Sequence, residues 1–222
     1  MQGVLSGIRV IDFTHMLAGP FCTALLRELG ARIIKVEFGE SGDMVRTTFP
    51  AAGGCEGDLF MTVNRGKKSV MLDLKTREAR KVALDLIAEA DILIEDLPPR
   101  VMRILGLDYK AVKRFNPKLI YCVLSGFGPE GFGNKLPSRG MDTQAVHGPM
   151  SFTGVPGNLP ASCGPYVAVA DTGGGPHAIA TMMEALNHRD RTGVGKYLEI
   201  SMQDCNRATG SLETEFLQKE VN

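Results

Sequence analysis

The feature that most restricts how this chain can fold is a recurrence of short, β-branched runs separated by loops and stretches with helical spacing. IRVIDF, ARIIKVE, SVMLDL, DILIED, KLIYCVLSGFG and KYLEISM read as strands. Between them, FCTALLRELG is helix-compatible and closed by Gly30. From Thr76 to Ala90 the apolar residues Ala79, Val82, Ala83, Leu86, Ile87 and Ala90 fall on one helical face. VMRILG and DYKAVKRF read as two shorter helical pieces. A strand, helix, strand unit is the signature of a parallel sheet, and the persistence of the alternation predicts the α/β class.

Composition narrows what such a sheet can serve. With 222 residues, 44% of them hydrophobic, the chain can bury a large core. Its 25 Lys and Arg cancel its 25 Asp and Glu, so it carries no basic field for nucleic acid or an anionic membrane, and any anion binding must be local. Cys22, Cys55, Cys122, Cys163 and Cys205 are scattered, without a C-x-x-C pair, which argues against a disulfide framework or a zinc site and predicts a reducing cytoplasm. No segment reaches the ~18 uninterrupted apolar residues of a membrane helix, and MQGVLSGIRVIDF lacks the pattern of a secretion signal. The expectation is a soluble intracellular protein.

Three stretches break the alternation. Phe38 to Lys68 reads as one long loop, which in a compact domain implies function. GPEGFGNKLPSRG, Gly128 to Gly140, is a glycine-rich loop at the carboxyl end of a strand, where open α/β sheets place ligands. The closing residues, QDCNRATGSLETEFLQKEVN, read as a helix with no strand after it, so the fold is expected to continue beyond this chain.

Several familiar chemistries lack their residues. The first strand-loop-helix has only Gly19, followed by Pro20, where a dinucleotide site needs several glycines; Glu37 then reads as a solvated strand-end acid. His15, His147, His177 and His188 show no paired metal spacing. GGGP is followed by no Lys-Ser or Lys-Thr pair, and no serine sits in a G-x-S-x-G setting. What stands out is Asp171 in VAVADTGGGPHA, a carboxylate between an apolar run and three glycines, after which the pattern turns helical. It reads equally as a helix N-cap and as a nucleophile kept ionised by exposed amides, with glycines giving a bulky electrophile room. Local pattern leaves that choice open.

The motifs GIRVIDFTHMLAGP, LGARIIKVE, NRGKKSVMLDLK, ADILIED, NPKLIYCVLSGFG, MDTQAVHGPMSFTG and ADTGGGPHAIATMMEALNHRDRTGVGKYLEISMQD, in this order, resemble the family III CoA-transferases and the related α-methylacyl-CoA racemases. The resemblance runs along nearly the whole chain. It implies a Rossmann-like parallel sheet with flanking helices, with residues 1–222 as the amino-terminal part of a large domain and the small domain absent from this chain. It further implies chains interlocked as a homodimer or hetero-oligomer.

Its functional implication is transfer of CoA from an acyl-CoA to a carboxylic acid through an aspartyl-CoA thioester on Asp171, with CoA as substrate and neither a tightly bound cofactor nor a metal. Amides of Gly173 and Gly174 are expected to stabilise the oxyanion. The positions matching the family's CoA contacts are His15, Met16, Leu17 and Ala18; Leu72, Asp73, Leu74 and Lys75; Asp96 and Leu97; Arg103; and Arg139 in the glycine-rich loop. The chain departs from the pattern at Phe38, Pro98 and Ile104, where relatives carry cations, with Arg100 and Arg103 nearby as substitutes. The racemases carry a histidine where this chain has Met141, and His147 would point elsewhere, so the resemblance favours transferase over racemase or a non-catalytic subunit.

Overall fold

The computed structural model describes residues 3–39, 41–48, 57–98, 100–128, 142, 145–146, 150 and 169–208. The strands are β1 (Arg9–Asp12), β2 (Arg32–Glu37), β3 (Lys68–Met71), β4 (Ile92–Glu95), β5 (Ile120–Ser125) and β6 (Tyr197–Ser201). They form one six-stranded sheet in the order β3-β2-β1-β4-β5-β6, and every pairing is parallel. The α/β expectation holds. β1 is flanked by β2 and β4, so the strand order reverses there, and it is outside the carboxyl ends at such a reversal that open α/β sheets place ligands.

Alternation along each strand feeds two cores. On one face Val10, Ile33, Ile92, Ile94, Cys122 and Leu124 pack under helix α1 (Ala18–Glu28), through Cys22 and Leu26, and under α7 (Val169–Thr192), through Ala178, Met182 and Ala185. On the other, Ile11, Val36, Leu93 and Tyr121 meet α4 (Arg77–Ala88), α5 (Val101–Leu105) and α6 (Tyr109–Val112). Helix α4 starts where Thr76 accepts the Ala79 N–H at 3.2 Å, a side-chain cap that the sequence spacing matches.

Two expectations change. The span from Phe38 to Lys68 holds two short helices, α2 (Val45–Thr48) and α3 (Asp58–Asn64). Helix α3 forms because Phe60 and Val63 are buried, with the Arg46 guanidinium 3.7 Å from the Phe60 ring centre. Helix α7 begins at Val169, so Asp171 is its third residue and not the residue before it. The glycines that read as an opening into the helix lie inside it because α7 runs so close to α1. A Cβ on Gly175 would sit 3.2 Å from Phe21 and 3.5 Å from the backbone of Ala18 and Cys22.

Among the described residues, Cys22 and Cys122 are buried free thiols, Cys205 is buried, and no helix is long and apolar enough to cross a membrane.

Candidate active site

At the strand reversal the segment after β1 meets the segment after β4. The His15 N–H donates to both Asp96 oxygens, at 3.0 and 3.1 Å, and so ties the two segments together. Phe38, just after β2, places its ring 4.6 Å from that of His15 in an edge-on contact at 71°. An aromatic wall thus stands at the position read as missing a cation. Burial, reinforced by Lys35, lowers the His15 pKa, so its imidazole is neutral at pH 7.

The turn Thr14–Met16 is pinned by buried charges. Thr14 donates its N–H and hydroxyl to Asp12, at 2.9 and 2.5 Å, and its carbonyl accepts from the Lys35 ammonium at 2.6 Å. The Met16 N–H donates to Asp43 Oδ1 at 3.1 Å, and Lys35 in turn pairs with Asp43 Oδ2 at 3.0 Å. These contacts hold Met16 at φ 64°, a left-handed conformation disfavoured for a side chain of this length.

Below the turn, Lys67 spans Asp12 Oδ2 (3.2 Å), the Pro20 carbonyl (2.9 Å), Thr23 (2.7 Å) and Asn64 (2.8 Å). Burial alone would raise the Asp12 carboxyl, but Lys67, Lys35 and the Thr14 and Thr23 hydroxyls outweigh it and hold the pKa at about 2.

Beyond Met16 the chain enters α1, whose N-cap position, Leu17, offers no side-chain acceptor. The first N–H groups of a helix have no intrahelical partner. One of them, on Ala18, lies close enough to the Asp171 carboxylate to favour its ionised form, as does the N–H of Asp171 itself. The amino ends of α1 and α7 therefore converge on one carboxyl group, and their positive ends favour its ionised form. Burial pulls the other way and wins, raising the pKa to about 6, while those two amides restrain the rise. The result is a carboxylate that is poorly solvated yet largely ionised at neutral pH.

The glycines expected to hold the oxyanion lie within the helix. Gly173 and Gly174 are the fifth and sixth residues of α7, where a helix's own carbonyls take up the amide protons. Gly174 is buried, and a Cβ there would lie 3.1 Å from Met202. The amide that serves Asp171 from outside its own helix is that of Ala18. His177 Nδ1 lies 2.8 Å from the Gly173 carbonyl. Pro176, lacking an N–H, cannot donate to the carbonyl one turn back.

The other expected contacts are distributed around the carboxyl end of the sheet. Leu72 and Leu74 are buried, and the Leu72 N–H donates to the Glu37 carbonyl at 2.8 Å, while Asp73 and Lys75 face solvent. Leu97 is half-buried and donates its N–H to Glu95 Oε2 at 2.8 Å. Arg103 is exposed on α5, beside an exposed Ile104. Arg139, Met141 and His147 lie outside the described residues.

Glu37 is no solvated acid. It is fully buried, with Arg46 bonding both its oxygens at 2.8 and 2.7 Å, Ser69 at 2.5 Å and the Asp43 N–H at 3.0 Å. Sequence reading missed Lys35, Asp43 and Lys67. The signal available for Lys35 was a lysine inside the apolar run ARIIKVE, since a buried parallel strand excludes charge unless a partner is supplied. No group of three potential metal ligands occurs among the described residues.

A parallel sheet with a strand reversal, and a half-buried carboxylate beside two helix amino ends, defines an open α/β protein. Residues 5–219 match CoA-transferase family III, and the chain belongs to that family. It is 40% identical over 203 residues to the acetyl-CoA:oxalate CoA-transferase of Acetobacter aceti, covering 91% of this chain and 52% of that protein. It is 37% identical over 216 residues to the succinyl-CoA:mesaconate CoA-transferase of Haloarcula hispanica, again covering 91% and 52%. The crystal structure of a CAIB/BAIF family protein from Brucella suis superimposes with a TM-score of 0.87 at 34% identity, covering 97% of this chain and 59% of that one. The chain thus spans about half the length of the curated relatives it matches.

Proposed function

We propose that this chain is the amino-terminal part of the large domain of a CoA-transferase, and that Asp171 carries CoA between an acyl-CoA donor and a carboxylic acid acceptor. The observation that carries the reading is the carboxylate of Asp171, partly desolvated yet held ionised by the Ala18 amide. With a pKa of about 6, roughly nine-tenths of it is ionised at pH 7. Desolvation makes it a better nucleophile than a hydrated aspartate, so no general base is required.

The reaction balances without an added reagent. An Asp171 oxygen attacks the thioester carbon, and collapse of the tetrahedral adduct expels CoA thiolate and leaves a mixed anhydride. The thiolate then attacks the Asp171 carbonyl carbon, releasing the donor acid as a carboxylate and forming the aspartyl-CoA thioester. The acceptor carboxylate attacks this thioester and the same two steps run in reverse. The Ala18 N–H is positioned to receive the negative charge that develops on the Asp171 oxygen when thiolate or acceptor adds.

The neutral His15 ring, the edge of Phe38 and the exposed Arg103 are offered as the surface for CoA, with the strand-end residues Leu72–Lys75, Asp96 and Leu97 shaping it. In this reading the protein works in the cytoplasm as an interlocked homodimer or hetero-oligomer, on an acyl-CoA and a small carboxylic acid. The test is trapping. Incubation with acyl-CoA followed by hydroxylamine or borohydride should leave an adduct or a reduced product at Asp171, read by peptide mass spectrometry. An active preparation left unmodified at Asp171 would overturn the proposal.

A further inference from the structure

We infer that the buried Lys35–Asp43 pair is a positioning device for the transfer reaction, holding the Thr14–Met16 turn so that the first amide of α1 is aimed at Asp171. The inference rests on Asp171 as nucleophile but concerns residues that do not touch it. Its ground is the way the turn is held. Apart from the Thr14 N–H, which donates to Asp12, the described contacts of this backbone come from ionisable side chains on separate elements. Lys35 of β2 takes the Thr14 carbonyl, Asp96 after β4 takes the His15 N–H, and Asp43 after β2 takes the Met16 N–H.

Lys35 and Asp43 are 1% and 0% exposed in their side chains, so water supplies neither partner when one is removed. Two residues beyond the left-handed Met16 comes Ala18, whose N–H serves the carboxylate. A left-handed methionine reverts to ordinary φ once its N–H is released, and α1 then starts in a different direction. Asp43 has a second hold on the same geometry, because its Oδ1 also accepts the Val45 N–H at 3.1 Å and anchors α2 beside the turn.

A role in positioning is separable from a role in folding. The experiment follows the pH dependence of Asp171 labelling by a water-soluble carbodiimide and glycinamide, read by peptide mass spectrometry, beside kcat and KM for CoA transfer. It compares the full-length protein with Asp43→Ala, Asp43→Asn and Lys35→Met, and with Leu107→Ala as a core variant destabilised away from the turn. Carbodiimide reacts with the protonated acid, so the labelling midpoint reports the pKa of Asp171.

Loss of the Ala18 amide removes a donor to the ionised form, so Asp43→Ala and Lys35→Met are expected to move the midpoint upward and lower kcat on the order of tenfold to a hundredfold. KM is expected to rise as well, because His15, offered as part of the CoA surface, sits on the same turn. Asp43→Asn keeps an acceptor for the Met16 N–H and should restore part of each effect. Leu107→Ala should leave the midpoint in place. An unmoved midpoint in the turn variants, or an equal shift in Leu107→Ala, overturns the inference. If Asp43→Ala does not fold, Asp43→Asn and Lys35→Met decide it by the same readouts. Wild-type protein that transfers CoA with no trappable Asp171 adduct sinks the nucleophile instead, and the labelling midpoints still test the positioning.

Discussion

The Lys67 ammonium lies 3.2 Å from Asp12 Oδ2, with the two side chains 2% and 0% exposed. Lys67 also bonds Thr23, Asn64 and the Pro20 carbonyl, so it joins β1, α1 and α3 at one point. Replacing it by methionine strands Asp12 and those acceptors in the interior. The expected cost is about 3–5 kcal/mol, measured as a fall in the urea midpoint with an unchanged slope.

Acid should unfold this protein through the same region. Burial would raise both Asp12 and Glu37, but Lys67 with Lys35, and Arg46 with Ser69 and the Asp43 amide, outweigh it and hold each pKa at about 2. Carboxyls depressed in the folded state contribute stability that is fully present above the unfolded value of about 4 and lost as pH falls toward 2. Denaturant titrations should therefore show a steep loss between about pH 4 and pH 2. Arg46→Lys, which gives up the two-pronged contact with Glu37, should move that loss to higher pH.

Asp171 carries the opposite sign. Burial raises its pKa to about 6, so between about pH 4 and pH 6 the folded protein holds a proton that the unfolded chain releases, and stability falls as pH rises through that window. Asp171→Asn abolishes the ionisation and should stabilise the protein at pH 7 by about 1–3 kcal/mol while eliminating transfer. In the parent protein kcat/KM should climb with pH and level off above about 6. A variant that lost stability at pH 7 would contradict the burial of the charge.

Gly19 is where helix α1 crosses the pinned turn. A Cβ there would lie 2.2 Å from Thr14 Cβ, the residue held between Asp12 and Lys35. Gly19→Ala should therefore cost about 3 kcal/mol in spite of alanine's better helix propensity, and should depress activity further than stability by displacing Ala18. Thermal melting alongside turnover checks both parts.

Thr76→Ala is the contrasting case. Its hydroxyl caps α4 through the Ala79 N–H, on the face away from α1 and α7. Loss of the cap should cost about 1 kcal/mol and leave kcat and KM where they were.

The strands were legible because buried parallel strands must be apolar and β-branched, a constraint visible over five or six residues. Helix α3 was not, since seven residues yield barely two turns of periodicity, and its helical form depends on Phe60 meeting Arg46 from another element. Gly173–Gly175 and Pro176 read as a breaker by propensity. They are helical because the approach of α7 to α1 leaves no space for a Cβ at Gly175 without movement of Phe21. Asp171 stood out as a lone carboxylate, but its second partner, the amide of Ala18, lies in another helix. Lys35 and Asp43 were hidden for the same reason. Each is a charge whose meaning depends on a residue from a different loop.

The approach of Ala18 to Asp171 also has a history within each synthesised molecule. About 150 residues separate the two, so at ordinary ribosomal speeds Asp171 emerges on the order of ten seconds after Ala18. β6, which follows α7, pairs with β5 across about half that interval, Tyr121 opposite Tyr197. Until α7 docks, Asp171 is an ordinary hydrated aspartate with a pKa of about 3.9. If Asp171 is the nucleophile proposed above, a nascent chain carries it unprimed, and its reactivity arises only when the late helix closes onto the early one.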